Sequence, residues 1–221
     1  MFVTGTDTGI GKTVVACALL RAFAAAGKSA VGMKPVAAGL EAGRSADVEA
    51  LRRASTIQAP AKLVNPFAFE PPIAPHIAAT LAGIEIDIEA IAVACGELSR
   101  LAEVVVVEGV GGFLVPLNAR QTGADLALRL GFPVVLVVGM RLGCLNHALL
   151  TRRAIDAQGL RCAGWVANCI DPGMDRVREN IEALERHLAC PRLGMVPFRR
   201  DPDPEYVARH LALEPLLAGA A

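Results

Sequence analysis

Three stretches of this chain are apolar at almost every position: Val104 to Val107, Val134 to Val138 and Cys162 to Ala167. A strand with one face in water alternates polar and apolar residues, so continuous runs of this kind predict strands covered on both faces. Helical patterns separate them. Thr13 to Ala26 is rich in Ala and Leu and ends at Gly27, and Asp47 to Ala54 can start a helix with Asp47 near its N-terminus. Asp87 to Leu101 carries Ile88, Ile91, Ala92, Cys95 and Leu98 at helical spacing, and Leu145 to Ala157 and Met174 to Leu188 also read as helices. Shorter strands are expected at Phe2 to Thr4, at Ala30 to Lys34 (stopped by Pro35) and at Leu193 to Val196, with a last short helix at Glu205 to Leu211. Residues 59–75 hold Pro60, Pro66, Pro71, Pro72 and Pro75 and read as an extended loop. There is no repeat and no linker. The alternation predicts one α/β domain over residues 1–221, a mostly parallel sheet with helices on both faces and ligands at the carboxyl ends of the strands.

Composition narrows the partners. The 221 residues are 53% hydrophobic, enough for a sizeable core, and 22 Lys+Arg cancel 22 Asp+Glu. Nucleic acid and anionic membranes both select a basic excess, so neither is expected as the main partner. A spanning helix needs roughly 18 consecutive apolar residues; the best candidate, Leu130 to Met140, is broken by Gly131, Pro133 and Gly139. Met1 to Thr4 leads directly into a Gly-rich loop without a basic leader region, so a cytoplasmic protein is expected. Six cysteines (Cys17, Cys95, Cys144, Cys162, Cys169, Cys190) are scattered with no C-x-x-C pair, which suits neither a zinc site nor a disulfide framework.

The segment Gly5-Thr-Asp-Thr-Gly-Ile-Gly-Lys12-Thr13 lies between a predicted strand and a predicted helix. In that context a Gly-rich loop turns its N–H groups inward onto a triphosphate, and the helix N-terminus adds partial positive charge. Lys12 would neutralise the β- and γ-phosphate oxygens and the Thr13 hydroxyl would ligate Mg²⁺. The usual first glycine falls at Thr6, with Gly5 one place early, so the loop is a variant.

Glu108 ends the run Val104 to Val107 and precedes the turn Gly109-Val-Gly-Gly112, the position where phosphate-loop enzymes keep a carboxylate on the Mg²⁺ side. Asp47 reads either as a helix cap or as a metal ligand. Lys34, after the second strand, should emerge at the same sheet edge as the phosphate loop, or else be a solvated strand-end lysine. Asn168-Cys169-Ile170-Asp171 has the form of a guanine signature with its lysine replaced by Cys169, which argues against GTP and leaves Asn168 able to bond an adenine edge.

Taken together, Thr4 to Thr13, Lys34-Pro-Val-Ala37, Asn65-Pro-Phe67, Pro75-His76, Val107-Glu-Gly-Val-Gly-Gly112, Leu142-Gly-Cys-Leu-Asn-His147 and Gly164-Trp-Val-Ala-Asn168 resemble the dethiobiotin synthetases, in family order from residue 2 to about residue 200. That family joins 7,8-diaminononanoate, CO₂ and ATP into a cyclic urea, through a carbamate and a carbamic–phosphoric anhydride, releasing ADP and phosphate. The resemblance implies Thr13, Asp47 and Glu108 as Mg²⁺ ligands, with Lys12 and Lys34 as catalytic lysines. It implies nucleotide contacts from Gly9, Ile10, Gly11, Lys12, Thr13, Val14, Asp47, Glu108, Gly109, Gly111, Asn168, Pro197, Phe198 and Arg199. Substrate contacts would come from Thr8, Lys34 and Ala38, and from Gly143, Cys144 and Asn146 at a helix N-terminus. The family is a homodimer in which the partner's helix holds the substrate carboxylate.

Two departures stand out. Ala38 occupies a position where the family commonly has a hydroxyl, and the acidic nucleotide contact near the C-terminus is either Asp203 or Glu205. His76 reads as a loop-packing or substrate-lining residue, His147 as a helix residue and Trp165 as core. The alternative is a partition-type regulatory ATPase of the same superfamily; such proteins typically carry an extra lysine where this chain has Thr6-Asp7-Thr8. An amidating ligase of the cobyrinic acid type would need a separate glutamine-hydrolysing domain, and a silent nucleotide-binding paralogue has only Ala38 in its favour.

Overall fold

The computed structural model describes residues 1–217. Six parallel strands form the main sheet: β1 (Phe2–Gly5), β2 (Ala30–Met33), β5 (Val104–Glu108), β6 (Val134–Met140), β7 (Cys162–Cys169) and β8 (Arg192–Val196). Their order is β2-β5-β1-β6-β7-β8. β1 is central, paired with β5 on one side and β6 on the other, and the chain winds outward from it in both directions. The loop after β1 thus sits at the point where the winding reverses, which is where a doubly wound sheet opens a crevice for ligands.

The apolar runs behave as expected. Val134, Leu136 and Val138 face a core shared with α5 (Ile88–Leu101), α6 (Gly123–Leu130), α7 (Cys144–Ala157) and α8 (Val177–Leu188). Val135 and Val137 face the other core, shared with α1 (Lys12–Ala25), part of α2 (Ala46–Ala54), α9 (Pro204–Ala208) and α10 (Glu214–Leu217). Every residue of β6 is therefore buried. Trp165, on β7, is fully buried as core. No helix among the described residues is long and apolar enough to cross a membrane.

The proline-rich stretch corrects the sequence reading. Within residues 59–75, α3 (Ala61–Val64) and β4 (Phe67–Phe69) form, and α4 (Pro75–Leu81) begins at Pro75. β4 pairs in parallel with β3 (Val36–Ala38) as a separate small sheet. The Asn65 side chain bridges the two segments, donating to Lys34 O at 2.6 Å and Phe67 O at 2.9 Å. Helix α6 was not expected either; it starts at Thr122 with a reciprocal capping box to Asp125 and ends at Gly131. The last expected helix is shorter, ending at Ala208, and α8 begins at Val177 instead of Met174.

Candidate functional site

Gly11 shapes the loop between β1 and α1. It is the N-cap of α1 in the left-handed region, φ +86°, with no side-chain cap, so the first N–H groups of the helix are left for a ligand. A Cβ at Gly11 would also lie 2.2 Å from Asn168 Nδ2, because Asn168 at the end of β7 donates to Ile10 O at 2.8 Å. Asn168 is thus buried against the phosphate loop and braces it. Lys12 is buried and donates to Asp7 O at 2.7 Å, which folds its ammonium back over the loop. Burial and the nearby Lys34 charge lower the Lys12 pKa to about 8, against the opposing pull of Glu108, Asp47 and Asp7.

Thr13, Lys34, Asp47 and Glu108 meet beside this loop. The Thr13 hydroxyl is within hydrogen-bond reach of Asp47 Oδ1 (2.9 Å) and Glu108 Oε1 (2.8 Å). Lys34 Nζ lies 3.0 Å from Asp47 Oδ2 and 2.5 Å from Glu108 Oε1. Lys34 is 5% exposed and Glu108 1%. Burial alone would lower the Lys34 pKa, but the two carboxylates outweigh it and raise it, so Lys34 is a cation here. Burial likewise works against the Asp47 carboxylate, and Lys34 and the Thr13 hydroxyl overcome it to lower its pKa.

Asp47 is not the cap of its helix. Ser45 is the N-cap of α2 and accepts from Val48 N, while Asp47 sits in the first turn and turns inward to Thr13 and Lys34. Glu108 Oε2 is buried with no hydrogen-bond partner among the described residues. A buried anionic oxygen in that condition fits a cation that this site would take together with a phosphate. Among the described residues no group of three or more His, Cys, Asp or Glu side chains gathers as a metal site. Two carboxylates and a hydroxyl suit Mg²⁺, which keeps few protein ligands and takes the rest from phosphate and water.

The remaining expected residues fall around this centre. Gly109 N donates to Val3 O, and a Cβ at Gly111 would come 3.5 Å from Thr8 Oγ1, so the turn after β5 lies against the phosphate loop. Thr8 and Gly9 are exposed on that loop, and Val14 follows Thr13 in α1. Ala38 ends β3, next to Gly39. Gly143 is the left-handed N-cap of α7, without a side-chain cap; Cys144 is buried and Asn146 exposed in the first turn. Pro197, Phe198 and Arg199 follow β8 at the same sheet edge, and Arg199 lies over the Tyr206 ring and pairs with Asp203 at 3.2 Å. Glu205 turns away to Arg21 of α1 at 3.2 Å, so of the two acidic candidates Asp203 is the one joined to the Arg199 segment.

One residue was not anticipated: Arg141, just after β6, pairs with Asp7 of the phosphate loop at 2.5 Å. No local pattern marks Arg141; its approach to Asp7 depends on where β6 ends beside the phosphate loop. His76, expected as a loop-packing or substrate-lining residue, lies in α4 with its Nδ1 buried and without a partner among the described residues. A cavity of about 930 Å³ opens at the opposite, amino-terminal end of the sheet, lined by Phe23, Leu128, Phe132, Leu160 and Leu217, away from all the expected site residues.

A Gly-rich loop at the switch point, capped by a buried lysine and faced by a strand-end carboxylate, defines a phosphate-loop NTPase domain. The MinD cell division protein of Aquifex aeolicus shares this fold, with a TM-score of 0.56 at 16% identity over 90% of this chain and 82% of that one. A ParA family ATPase from Chlorobium tepidum does too, with 0.54 at 13% identity over 99% and 93%. A family model described as an AAA domain matches residues 1–206. The ATP-dependent dethiobiotin synthetase BioD of Nitrosospira multiformis is 59% identical over 91% of this chain and 89% of its own. The protein of the same name from Aromatoleum aromaticum is 55% identical over 96% of each chain. The chain belongs to the ATP-dependent dethiobiotin synthetase family, a family of ligases.

Proposed function

We propose that this chain uses ATP to close a cyclic urea on 7,8-diaminononanoate, with CO₂ as the one-carbon donor. The observation that carries the reading is Lys34. The partition-type alternative keeps its extra lysine within the phosphate loop, where this chain has Thr6-Asp7-Thr8; here the second lysine, buried and charged, instead lies between the two carboxylates beside the loop.

The first step needs a neutral amine to attack CO₂. An alkyl amine has a pKa of about 10, so roughly one molecule in a thousand is neutral near pH 7. The like charges of Lys12 and Lys34 favour the neutral form of an amine held beside them. Once the carbamate exists, the same two ammonium groups stabilise it. Its oxygen then attacks the γ-phosphorus in line; the loop N–H groups and Lys12 hold the phosphates and offset the charge that spreads over them. The second amine displaces phosphate from the carbamic–phosphoric anhydride and closes the ring, and fixing both amines in one site makes that closure effectively unimolecular. No protein nucleophile is required.

Thr13, Asp47 and Glu108 would hold Mg²⁺, which supplies charge neutralisation at the β- and γ-phosphates. Asp47 and Glu108 also keep Lys34 protonated and in position. Asn168, Pro197, Phe198 and Arg199 border the adenine in this reading, with Gly9, Ile10, Gly11, Val14, Gly109 and Gly111 around the phosphates. Thr8 and Ala38 line the diamine. Its carboxylate is held by the uncapped N-terminus of α7, at Gly143, Cys144 and Asn146, in a second copy of the chain. Leu142 beside that terminus is 94% exposed, and Leu150 of the same helix is also exposed, apolar surface of the kind a homodimer covers.

The test is incorporation of labelled bicarbonate into an acid-stable product with Mg²⁺-ATP, with and without the diamine. Incorporation that requires both ATP and diamine, with one phosphate released per label, supports the ligase. ATP turnover indifferent to the diamine supports the partition-type ATPase instead.

A further inference from the structure

All six cysteines are free thiols, and their spacing pairs none of them. The fold nevertheless brings two together. Cys162 opens β7, Cys190 lies in the connection from α8 to β8, and their sulfurs are 3.3 Å apart. The approach follows from topology: β7 and β8 are parallel neighbours, Trp165 N donates to Pro191 O at 2.9 Å, and the starts of the two strands lie side by side. Cys162 is buried and its thiol reaches Gly164 O only weakly, at 3.6 Å, while Cys190 is half-buried and reachable from solvent. The Arg152 guanidinium, on α7, is held by Asp156 at 2.9 Å and by Leu188 O, and its charge faces the pair.

We propose that Cys190 and Cys162 form an oxidative modification site, in which a hydroperoxide oxidises Cys190 and Cys162 resolves it to an intrachain disulfide. The Cys190 sulfur attacks one oxygen of hydrogen peroxide and breaks the O–O bond, becoming a sulfenic acid as the other oxygen leaves as hydroxide and takes up the thiol's proton to form water. The Cys162 sulfur then attacks the Cys190 sulfur, and its proton departs with the displaced hydroxyl as a second water. Two thiols are oxidised and one peroxide is reduced. The sulfurs need only close to the ~2.05 Å of the covalent bond.

Electrostatics make the reaction selective. The hydrogen bond from Cys162 lowers the Cys190 pKa, against burial and with help from Arg152, which favours its thiolate. Burial pushes Cys17 up to about 12 and Cys95 up to about 11, and raises Cys144 and Cys169. The pair lies at the amino ends of the strands, opposite the phosphate loop, so the disulfide ties α8 and β8 to β7 without touching the nucleotide site. Closing that loop should raise the thermal midpoint by about 5 °C.

The experiment treats the reduced full chain with near-stoichiometric hydrogen peroxide at neutral pH, alkylates the remaining thiols, digests without reduction and maps peptides by mass spectrometry. The expected product is a Cys162–Cys190 linked peptide that dithiothreitol reverses, with Cys17, Cys95, Cys144 and Cys169 still alkylated. Cys162→Ser should stop at a Cys190 sulfenic acid that dimedone traps. Unmodified Cys190, direct over-oxidation of Cys190 with Cys162 present, or labelling spread evenly over the six cysteines would overturn the proposal; the wild-type map decides this even if a variant folds poorly.

Discussion

Lys34 Nζ lies 2.5 Å from Glu108 Oε1, though the residues are 74 positions apart in the chain. They meet because β2 and β5 are parallel neighbours in register, Met33 opposite Val107, so both strands deliver their next residue to the same edge. Both side chains are buried, and each supplies the charge the other requires. An ion pair of this kind is costly to break and ties the chemistry of the site to its stability.

Removing the cation alone should therefore destabilise the protein. Lys34→Met leaves Glu108 buried and uncompensated, at an expected cost of about 3 kcal/mol, together with loss of most turnover. Adding Glu108→Gln should recover much of the stability but none of the activity. Urea unfolding and steady-state rates on the single and double variants separate the two effects; full stability in Lys34→Met contradicts the pairing.

Nucleotide affinity should depend on pH through Lys12. Its pKa is lowered to about 8 in the free protein, and a bound triphosphate raises it again. Binding then takes up a proton wherever free Lys12 is neutral and bound Lys12 is charged. Affinity is full below about pH 8 and falls by up to about tenfold per pH unit above it. Calorimetry in two buffers of different ionisation enthalpy reads that proton directly, and an affinity that stays flat through this range would remove Lys12 from the phosphates.

Gly11→Ala should abolish nucleotide binding. The added Cβ meets Asn168 Nδ2 at 2.2 Å and the backbone is left-handed, so the loop must move. Equilibrium binding of a fluorescent ATP analogue measures this, with unchanged affinity as the contrary result.

Ala38→Ser should restore a hydroxyl beside the expected diamine site. A bond to a charged group is worth about 1.5–3 kcal/mol, so tighter diamine binding by about tenfold or more is expected, with ATP affinity unchanged. Weaker diamine binding would count against a missing contact at this position.

The parts of this protein with local signals were legible in its sequence. The phosphate loop is contiguous from Gly5 to Thr13, and the apolar runs of β5, β6 and β7 announce strands buried on both faces. β3 and β4 were not legible, because strands of three residues have no periodicity to read and their pairing joins Val36 to Phe67 across a proline-rich stretch. Helix α6 did carry a signal, the Thr122-x-x-Asp125 capping box, in a helix only eight residues long. Asp47 could not be separated from a helix cap until Ser45 was seen to take that position. The approach of Cys162 to Cys190 depends wholly on strand order.

The most direct test follows heavy oxygen from bicarbonate during a single turnover with Mg²⁺-ATP and 7,8-diaminononanoate. If the carbamate oxygen attacks the γ-phosphorus and leaves on it when the ring closes, one labelled oxygen appears in the released phosphate and one in the urea carbonyl. Phosphate free of label, released at the same rate as product, would contradict the mechanism assigned to Lys12 and Lys34.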